Sequence, residues 1–360
     1  MNRDKLNIAL VGCGRISKSH LKAINKLKSD CNLIAICDEN EERLHSTNQF
    51  FTKDLNSDDY NLTIPSLFQN FELLLNHHKK KLIEIDLLVL ATPSGLHPYQ
   101  TIAAAKQKIN VCTEKPMAIN YKDGLKMCEV CKANDVKLFV VKQNRLNETL
   151  IDLKNKVNNN MFGKIALIEL NVFWQRPQSY YDNDSWRGTL KLDGGALMNQ
   201  ASHYVDLLEW IGGPLESLSA KIATISRNIE AEDTAVLNLK WLNGALGTMA
   251  VTMLTYPKNI EGSITIIGDK GSAKIGGVAL NKYEYFHFEE RINPEEIFKA
   301  NYEPKNVYGS GHYKYYENMI NSLKNIEKPI CDGESGLSSI KIINAAYKPN
   351  KENKNSAKLF

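Results

Sequence analysis

The sequence predicts an α/β protein in which a doubly wound parallel sheet is followed by an α+β domain of mostly antiparallel open sheet. Three observations predict it. In the first third, short apolar runs alternate with amphipathic stretches, the rhythm of βαβ units. A glycine-rich turn closes the first apolar run and opens the first amphipathic stretch. Beyond about residue 145, longer strand-like runs follow one another with few helices between them. A chain of 360 residues suits two domains, and 43% hydrophobic with 24% charged residues is an ordinary globular composition. Disorder, collagen and a disulfide-stapled miniprotein are excluded.

Taken in order, the strands are expected at Asn7–Val11, Leu33–Cys37, Leu87–Ala91, Asn110–Thr113 and Leu138–Val141. Helical spacing lies at Ser17–Leu27, Glu41–Phe51, Leu67–His77, Tyr99–Lys108 and Tyr121–Asn134. Thr52–Ile64, rich in Asp, Asn and Ser, is expected as a surface loop or insertion. The second domain is expected to carry strands at Ile165–Trp174, Ala220–Ser226, Thr234–Trp241, Ala245–Leu254 and Ser263–Gly268. Leu242-Asn243-Gly244 and Asp269-Lys270-Gly271 supply hairpin turns between such runs. The expected domains are 1–145, 146–348 and a polar, frayed tail at 349–360.

Forty-five basic residues against 41 acidic give a net charge of +4, too small and dispersed for a nucleic-acid footprint. The longest basic run, Lys79-Lys80-Lys81, is expected as a solvated helix end. No apolar run reaches the roughly 18 residues of a membrane span, and Leu6–Val11 is too short for a signal segment. A cytoplasmic protein is the expectation. The seven Cys are scattered without paired metal-ligand spacing, so they are expected as reduced thiols. No His, Cys or carboxylate set has zinc spacing, and no metal is expected.

The sharpest signal is Val11-Gly12-Cys13-Gly14-Arg15-Ile16-Ser17, with Asp38 at the end of the second strand. Gly12 permits the turn, Gly14 lets backbone N–H groups approach a pyrophosphate, and the helix N-terminus favours the negative charge. Arg15 and Ile16 complete the expected cofactor loop, and Ser17 replaces the third glycine of the dinucleotide fingerprint. Asp38 would accept bonds from the adenosine ribose hydroxyls and repel a 2′-phosphate, so NAD is expected over NADP.

Ala91-Thr92-Pro93-Ser94-Gly95-Leu96-His97 and Thr113-Glu114-Lys115-Pro116 follow the next strands, at the edge where open α/β sheets bind ligands. Farther on, Leu192–Leu208 carries Asn199, His203 and Asp206, four and three residues apart and expected on one helix face. With the glycine turn, these segments resemble the Gfo/Idh/MocA oxidoreductase family over about residues 5 to 348. The resemblance implies a Rossmann domain binding NAD, with Thr92, His97, Glu114 and Lys115 near the cofactor. It implies Lys115 as the catalytic lysine and His203 as the general base. Asn199 stands where the family commonly has Asp; it can still hydrogen-bond a sugar hydroxyl or Lys115 but holds no charge. His20 and Cys13 are expected simply to pack.

Removing hydride from a secondary alcohol leaves developing alkoxide charge, so a proton acceptor must lie within about 3 Å of the hydroxyl. His203 suits that role, and a protonated Lys115 would stabilise the alkoxide. Asn171–Thr189 concentrates aromatics around Arg176, Tyr181 and Arg187, which suits an anionic glycoside. This loop and Gly194–Leu208 resemble the family's UDP-N-acetylglucosaminuronate 3-dehydrogenases more than its polyol dehydrogenases. That resemblance implies NAD-dependent oxidation of the 3″-hydroxyl of UDP-2-acetamido-2-deoxyglucuronate for surface polysaccharide (lipopolysaccharide, O-antigen) assembly. It also implies a homo-oligomer, dimer or tetramer, and leaves 2-oxoglutarate open as the final hydride acceptor. The competing expectations are an NAD-dependent glycosidase, a free polyol or inositol dehydrogenase, and a non-enzymatic NAD-binding regulator.

Overall fold

A computed structural model describes residues 5–56, 62–291, 293–303 and 311–348. These form two compact units. The first comprises 5–147, 191–193 and 311–340; the second comprises 148–190, 194–303 and 341–348. The expected frayed tail at 349–360 and the centre of the expected insertion, 57–61, lie outside the described residues.

The first unit is a six-stranded parallel sheet in the order β3-β2-β1-β4-β5-β6. Its strands are β1 (Leu6–Val11), β2 (Cys31–Cys37), β3 (Ser66–Phe68), β4 (Leu87–Leu90), β5 (Asn110–Thr113) and β6 (Leu138–Val140). The helices between them are α1 (Ser17–Lys26), α2 (Glu41–Gln49), α3 (Phe71–Lys79), α4 (His97–Ala105) and α5 (Tyr121–Ala133). A parallel sheet is buried on both faces, which is why β1 reads as an unbroken apolar run from Ile8 to Val11. Its Ile8 and Leu10 join one core layer, and its Ala9 and Val11 join the other. Asn40, Asn70 and Asn120 start α2, α3 and α5 by accepting backbone N–H bonds with their side chains. The helix expected from Leu67 therefore begins later: Leu67 lies in β3, and Asn70 caps the helix after it. The segment after α2 continues as a π-helical turn, Phe50–Asp54, rather than opening at once into a loop.

The second unit begins with α6 (Glu148–Asn158) and β7 (Ile165–Phe173), followed by α7 (Gln178–Asp182), α8 (Gly195–Met198) and α9 (Ser202–Gly212). Then come β8 (Leu215–Ala223), β9 (Thr234–Trp241), β10 (Leu246–Thr252), β11 (Glu261–Gly268), β12 (Gly271–Gly276), β13 (Lys282–Phe288) and α10 (Pro294–Phe298). The sheet order is β13-β12-β11-β7-β10-β9-β8. Every neighbouring pair is antiparallel except β7 with β10. Both expected hairpins are present, β9 to β10 and β11 to β12. Strand alternation buries Ile168, Leu170, Leu237, Met249 and Ile266 on one face. The wholly buried Trp241 donates its indole N–H to Leu208 O at 3.1 Å, fixing α9 to that face.

Two helices close the chain, α11 (Gly311–Leu323) and α12 (Gly333–Tyr347). Residues 311–340, expected within the second domain at 146–348, pack with the first unit. Tyr315, Tyr316, Met319 and Ile320 of α11 share a core layer with Ile8, Leu10 and Leu21, and the Tyr315 hydroxyl donates to Val140 O at 2.7 Å.

Candidate active site

In the first unit the expected cofactor residues line the C-terminal ends of the parallel strands. There the ladder continues past the strands through Asp38 N–H to Phe68 O, Gly12 N–H to Cys37 O, Ala91 N–H to Val11 O and Glu114 N–H to Leu90 O. Asp38, Gly12, Ala91 and Glu114 thus stand in a row across β2, β1, β4 and β5, with Thr92 next after Ala91. The row straddles β1 and β4, where the strand order reverses and doubly wound sheets bind their ligands.

Gly12 has φ +98°, and a Cβ there would lie 2.5 Å from the carbonyl carbon and oxygen of Ala91. Only glycine lets the turn pass that close to β4. Around Gly14, by contrast, no heavy atom lies within 4 Å of the Cβ position, so the backbone is open to a ligand. Ser17, in place of the third glycine, is buried and donates its hydroxyl to Gly14 O at 2.6 Å. Asp38 accepts the Cys13 N–H at 2.6 Å and the Asn40 N–H at 2.8 Å, which ties the acid beside the glycine turn. Each of its oxygens keeps a lone pair for a ribose hydroxyl. Arg15 is exposed and Ile16 half-buried on the same loop. An open glycine backbone, a helix N-terminus and an acid at the end of β2 fit a bound dinucleotide.

His97 is wholly buried, and its two ring nitrogens lie 3.0 Å from Pro116 O and 2.9 Å from Thr92 O. Burial lowers its pKa from the ordinary histidine value. It pins the Lys115–Pro116 loop to the β4 loop. The Thr92 hydroxyl donates to Gln100 at 2.6 Å. Glu114, expected beside the cofactor, turns its carboxylate inward: Oε1 lies 3.1 Å from His20 Nε2 and Oε2 accepts the Lys115 N–H at 3.1 Å. Lys115 is half-buried at the end of β5. His20, expected simply to pack, has a partner 94 residues away that nothing near residue 20 signals.

In the second unit, β7 runs on past its end as Trp174 N–H bonds Thr252 O and Arg176 N–H bonds Met253 O, both at 2.9 Å. The expected substrate loop follows. Tyr180 is bracketed by two guanidinium groups: Arg176 stands 5.4 Å from its ring centre and Arg187 stands 4.3 Å from it. Arg176 also covers Trp174 at 5.0 Å, and Arg187 covers Trp186 at 4.7 Å. Arg187 is paired with Asp184 at 2.9 Å, whereas Arg176 donates to the neutral Gln175 O and Asn259 Oδ1. Tyr181 is only 5% exposed, and Tyr180 beside it is half-buried.

Asn199 and His203 do not lie on one continuous helix. Asn199 caps the end of α8, a turn spans 199–201, and His203 enters the first turn of α9. The break has a visible cause: Ala201 N–H reaches back five residues to Ala196 O at 2.8 Å, and the Ser202 hydroxyl takes Asn199 O at 3.0 Å. Asp206 shares the helix with His203, and both are buried. Sequence reasoning missed Glu232, which holds the start of α8. Its backbone O accepts Ala196 N–H, and its carboxylate accepts Leu197 N–H and the Tyr347 hydroxyl. Gly195 makes room, because a Cβ there would lie 1.9 Å from Glu232 Oε2. Asp233 was also missed; it gathers the N–H groups of Ile225, Ser226 and Arg227, and Arg227 in turn donates to Arg176 O. Among the described residues no group of His, Cys, Asp and Glu is placed to hold a metal, and no helix is long and apolar enough to cross a membrane.

Parallel sheet, open glycine turn and ribose-facing acid define a nicotinamide-dinucleotide oxidoreductase. The chain belongs to the Gfo/Idh/MocA oxidoreductase family: the family's NAD-binding Rossmann fold matches residues 6–142, and its C-terminal alpha/beta domain matches residues 154–359. Among solved structures, the WlbA dehydrogenase of Bordetella pertussis in complex with NADH and UDP-GlcNAcA is 46% identical, over 96% of each chain, with a TM-score of 0.87. The WlbA dehydrogenase of Chromobacterium violaceum, solved with the same two molecules, is 44% identical over 96% of this chain and 94% of that one, also at 0.87. Myo-inositol 2-dehydrogenase of Thermotoga maritima is 24% identical over 208 residues, 58% of this chain and 55% of its own. This chain spans about half the length of the curated relatives it matches.

Proposed function

We propose that the protein oxidises the 3″-hydroxyl of UDP-2-acetamido-2-deoxyglucuronate to the 3-keto sugar with NAD. The observation that carries this reading is the likeness, at 46% and 44% identity over nearly the whole chain, to two dehydrogenases solved with NADH and UDP-GlcNAcA. Bound NAD supplies the hydride acceptor. Gly12, Gly14, Arg15 and Ile16 hold its pyrophosphate, Asp38 holds its ribose, and Thr92 and His97 shape the nicotinamide side. Lys115, as an ammonium, orients the sugar hydroxyl and stabilises the alkoxide, while His203 takes the proton and Asn199 hydrogen-bonds the sugar.

Arg176 is the residue for the uronate carboxylate, because it meets only neutral acceptors while Arg187 is already paired with Asp184. Tyr180, with both guanidinium groups over its ring, offers its hydroxyl to the sugar, with Tyr181 packed edge-on against it. The reading extends to a cytoplasmic homotetramer serving O-antigen and lipopolysaccharide assembly, with 2-oxoglutarate able to reoxidise the cofactor. It is supported there by the family resemblance alone.

The test is incubation with UDP-2-acetamido-2-deoxyglucuronate and NAD, with and without 2-oxoglutarate, followed by nicotinamide absorbance and mass spectrometry. The expected product has lost two hydrogens, and Lys115→Met and His203→Asn form none. Arg176→Ala is expected to weaken binding of the uronate about tenfold to a hundredfold and binding of UDP-N-acetylglucosamine less than threefold, the worth of one charged hydrogen-bond pair. An unchanged sugar with NAD still bound would redirect the search to other glycosides and free polyols.

A further inference from the structure

Three buried polar side chains of the first unit form one line, and the proposed chemistry uses only its end. Tyr316 and His20 are wholly buried, and Glu114 is 8% exposed. The Tyr316 hydroxyl lies 2.8 Å from His20 Nδ1, His20 Nε2 lies 3.1 Å from Glu114 Oε1, and Glu114 Oε2 accepts the Lys115 N–H at 3.1 Å. The members come from α11, from α1 and from the end of β5, so only the folded unit brings them together.

Hydrogen-bond accounting fixes the direction of the line. A carboxylate can only accept, so His20 Nε2 carries a proton. When the ring carries only that proton, Nδ1 is left as an acceptor and Tyr316 donates to it. Burial pushes the Tyr316 hydroxyl well above its ordinary range, which keeps it a donor at any working pH. Burial alone would raise Glu114 as well, but the His20 hydrogen bond, together with the positive charge that His20 and His312 carry when protonated and that of Lys115, outweighs it and brings the carboxyl down to about 2. The titratable groups that face Glu114 are His20 on α1, His97 at the head of α4, Cys112 on β5 and His312, Tyr315 and Tyr316 on α11. Lys115 adds its positive charge to these groups.

We propose that His20 and Tyr316 are positioning residues for hydride transfer: they hold Glu114 as a fixed buried carboxylate that orients the Lys115 backbone and serves as counter-charge to the Lys115 ammonium. The inference rests on the reading of Lys115 as the group that stabilises the alkoxide. With the carboxylate in place, Lys115 keeps its proton to higher pH; with the charge removed or loosened, it loses that proton earlier.

The experiment is the pH profile of kcat for the full-length protein, its Glu114→Gln variant and its Tyr316→Phe variant, with NAD affinity and thermal unfolding measured alongside. The alkaline limb is expected to move about one pH unit lower in Glu114→Gln, as for loss of a neighbouring opposite charge, and by a smaller step the same way in Tyr316→Phe. NAD affinity should stay within about threefold of the parent's, since these side chains face the core. Nitrogen resonances of histidine-labelled protein should report His20 Nδ1 without a proton in the parent and shifted in Tyr316→Phe, a variant that removes only one hydroxyl and keeps the test open if Glu114→Gln does not fold. Activity lost equally at every pH with the limb unmoved, or a protonated Nδ1, overturns the inference. Lys115→Met separates the two ideas: if it still transfers hydride, the reading of Lys115 itself fails, and if it is inactive while the limb stays put, the inference alone fails.

Discussion

Gly12 and Gly14 stand two residues apart in one turn and are needed for opposite reasons. Gly12 is required by the protein itself, with positive φ and the Ala91 carbonyl 2.5 Å from any Cβ. Gly14 is surrounded by open space and matters only once a pyrophosphate arrives. Gly12→Ala is therefore expected to destabilise the fold by about 2 kcal/mol or more, seen as a lowered Tm without ligand. Gly14→Ala should keep the parent's Tm and raise the Kd for NAD about tenfold or more, through lost backbone approach. Equal Tm losses in both would refute the distinction. The turn, Asp38 and Lys115 were legible in the sequence because each follows a strand end at a short, fixed spacing. The inward turn of Glu114 and the grip of Glu232 on α8 were not, since their partners lie 94 and 35 residues away.

At the level of elements, α11 contributes an acid sensitivity to the first unit. Burial pushes His312 down from 6.5 to about 4, so the folded state prefers its neutral form. The resulting stability is present above pH 6.5 and is lost as pH falls from 6.5 toward 4. Glu114, despite its burial, is held at about 2 against an ordinary 4.5, so its contribution is present above pH 4.5 and is lost from 4.5 toward 2. Each amounts to on the order of 3 kcal/mol. Urea unfolding at pH 7, 5.5 and 4 is expected to show falling stability, and His312→Phe should flatten that decline. An equally steep decline in the variant would remove His312 as its source. Strand period and asparagine caps made most elements legible. β3 was absorbed into a helical pattern because Leu67 and Phe68 continue the apolar spacing of α3, and the Gly-flanked β12 is too short for a clear alternation. β13 has a register shift opposite Lys274 and Ile275 and breaks the period of two outright.

On the scale of the whole molecule, the outer face of the seven-stranded sheet carries Leu246, Leu167 and Ile267 side by side across β10, β7 and β11. Leu246 is 56% exposed and Ile267 41%. If the proposed homo-oligomer forms on this face, Leu246→Lys with Ile267→Lys should lower the mass seen by light scattering at micromolar concentration while the folded sheet survives, because both side chains point away from its core. An unchanged mass would place the contact elsewhere. The sequence showed two domains but not that α11 returns to the first, since hydrophobic pattern reveals that a helix has a buried face and not which sheet receives it. That return has a consequence for synthesis on the ribosome. The nucleotide-binding unit is left with a bare apolar layer until Tyr315, Tyr316, Met319 and Cys331 have emerged, by which time every strand of the seven-stranded sheet has already been made. A shortened gene product ending at 145 would carry every residue of the dinucleotide fingerprint and yet expose the layer those side chains cover, making it a client for chaperones rather than a portable cofactor module.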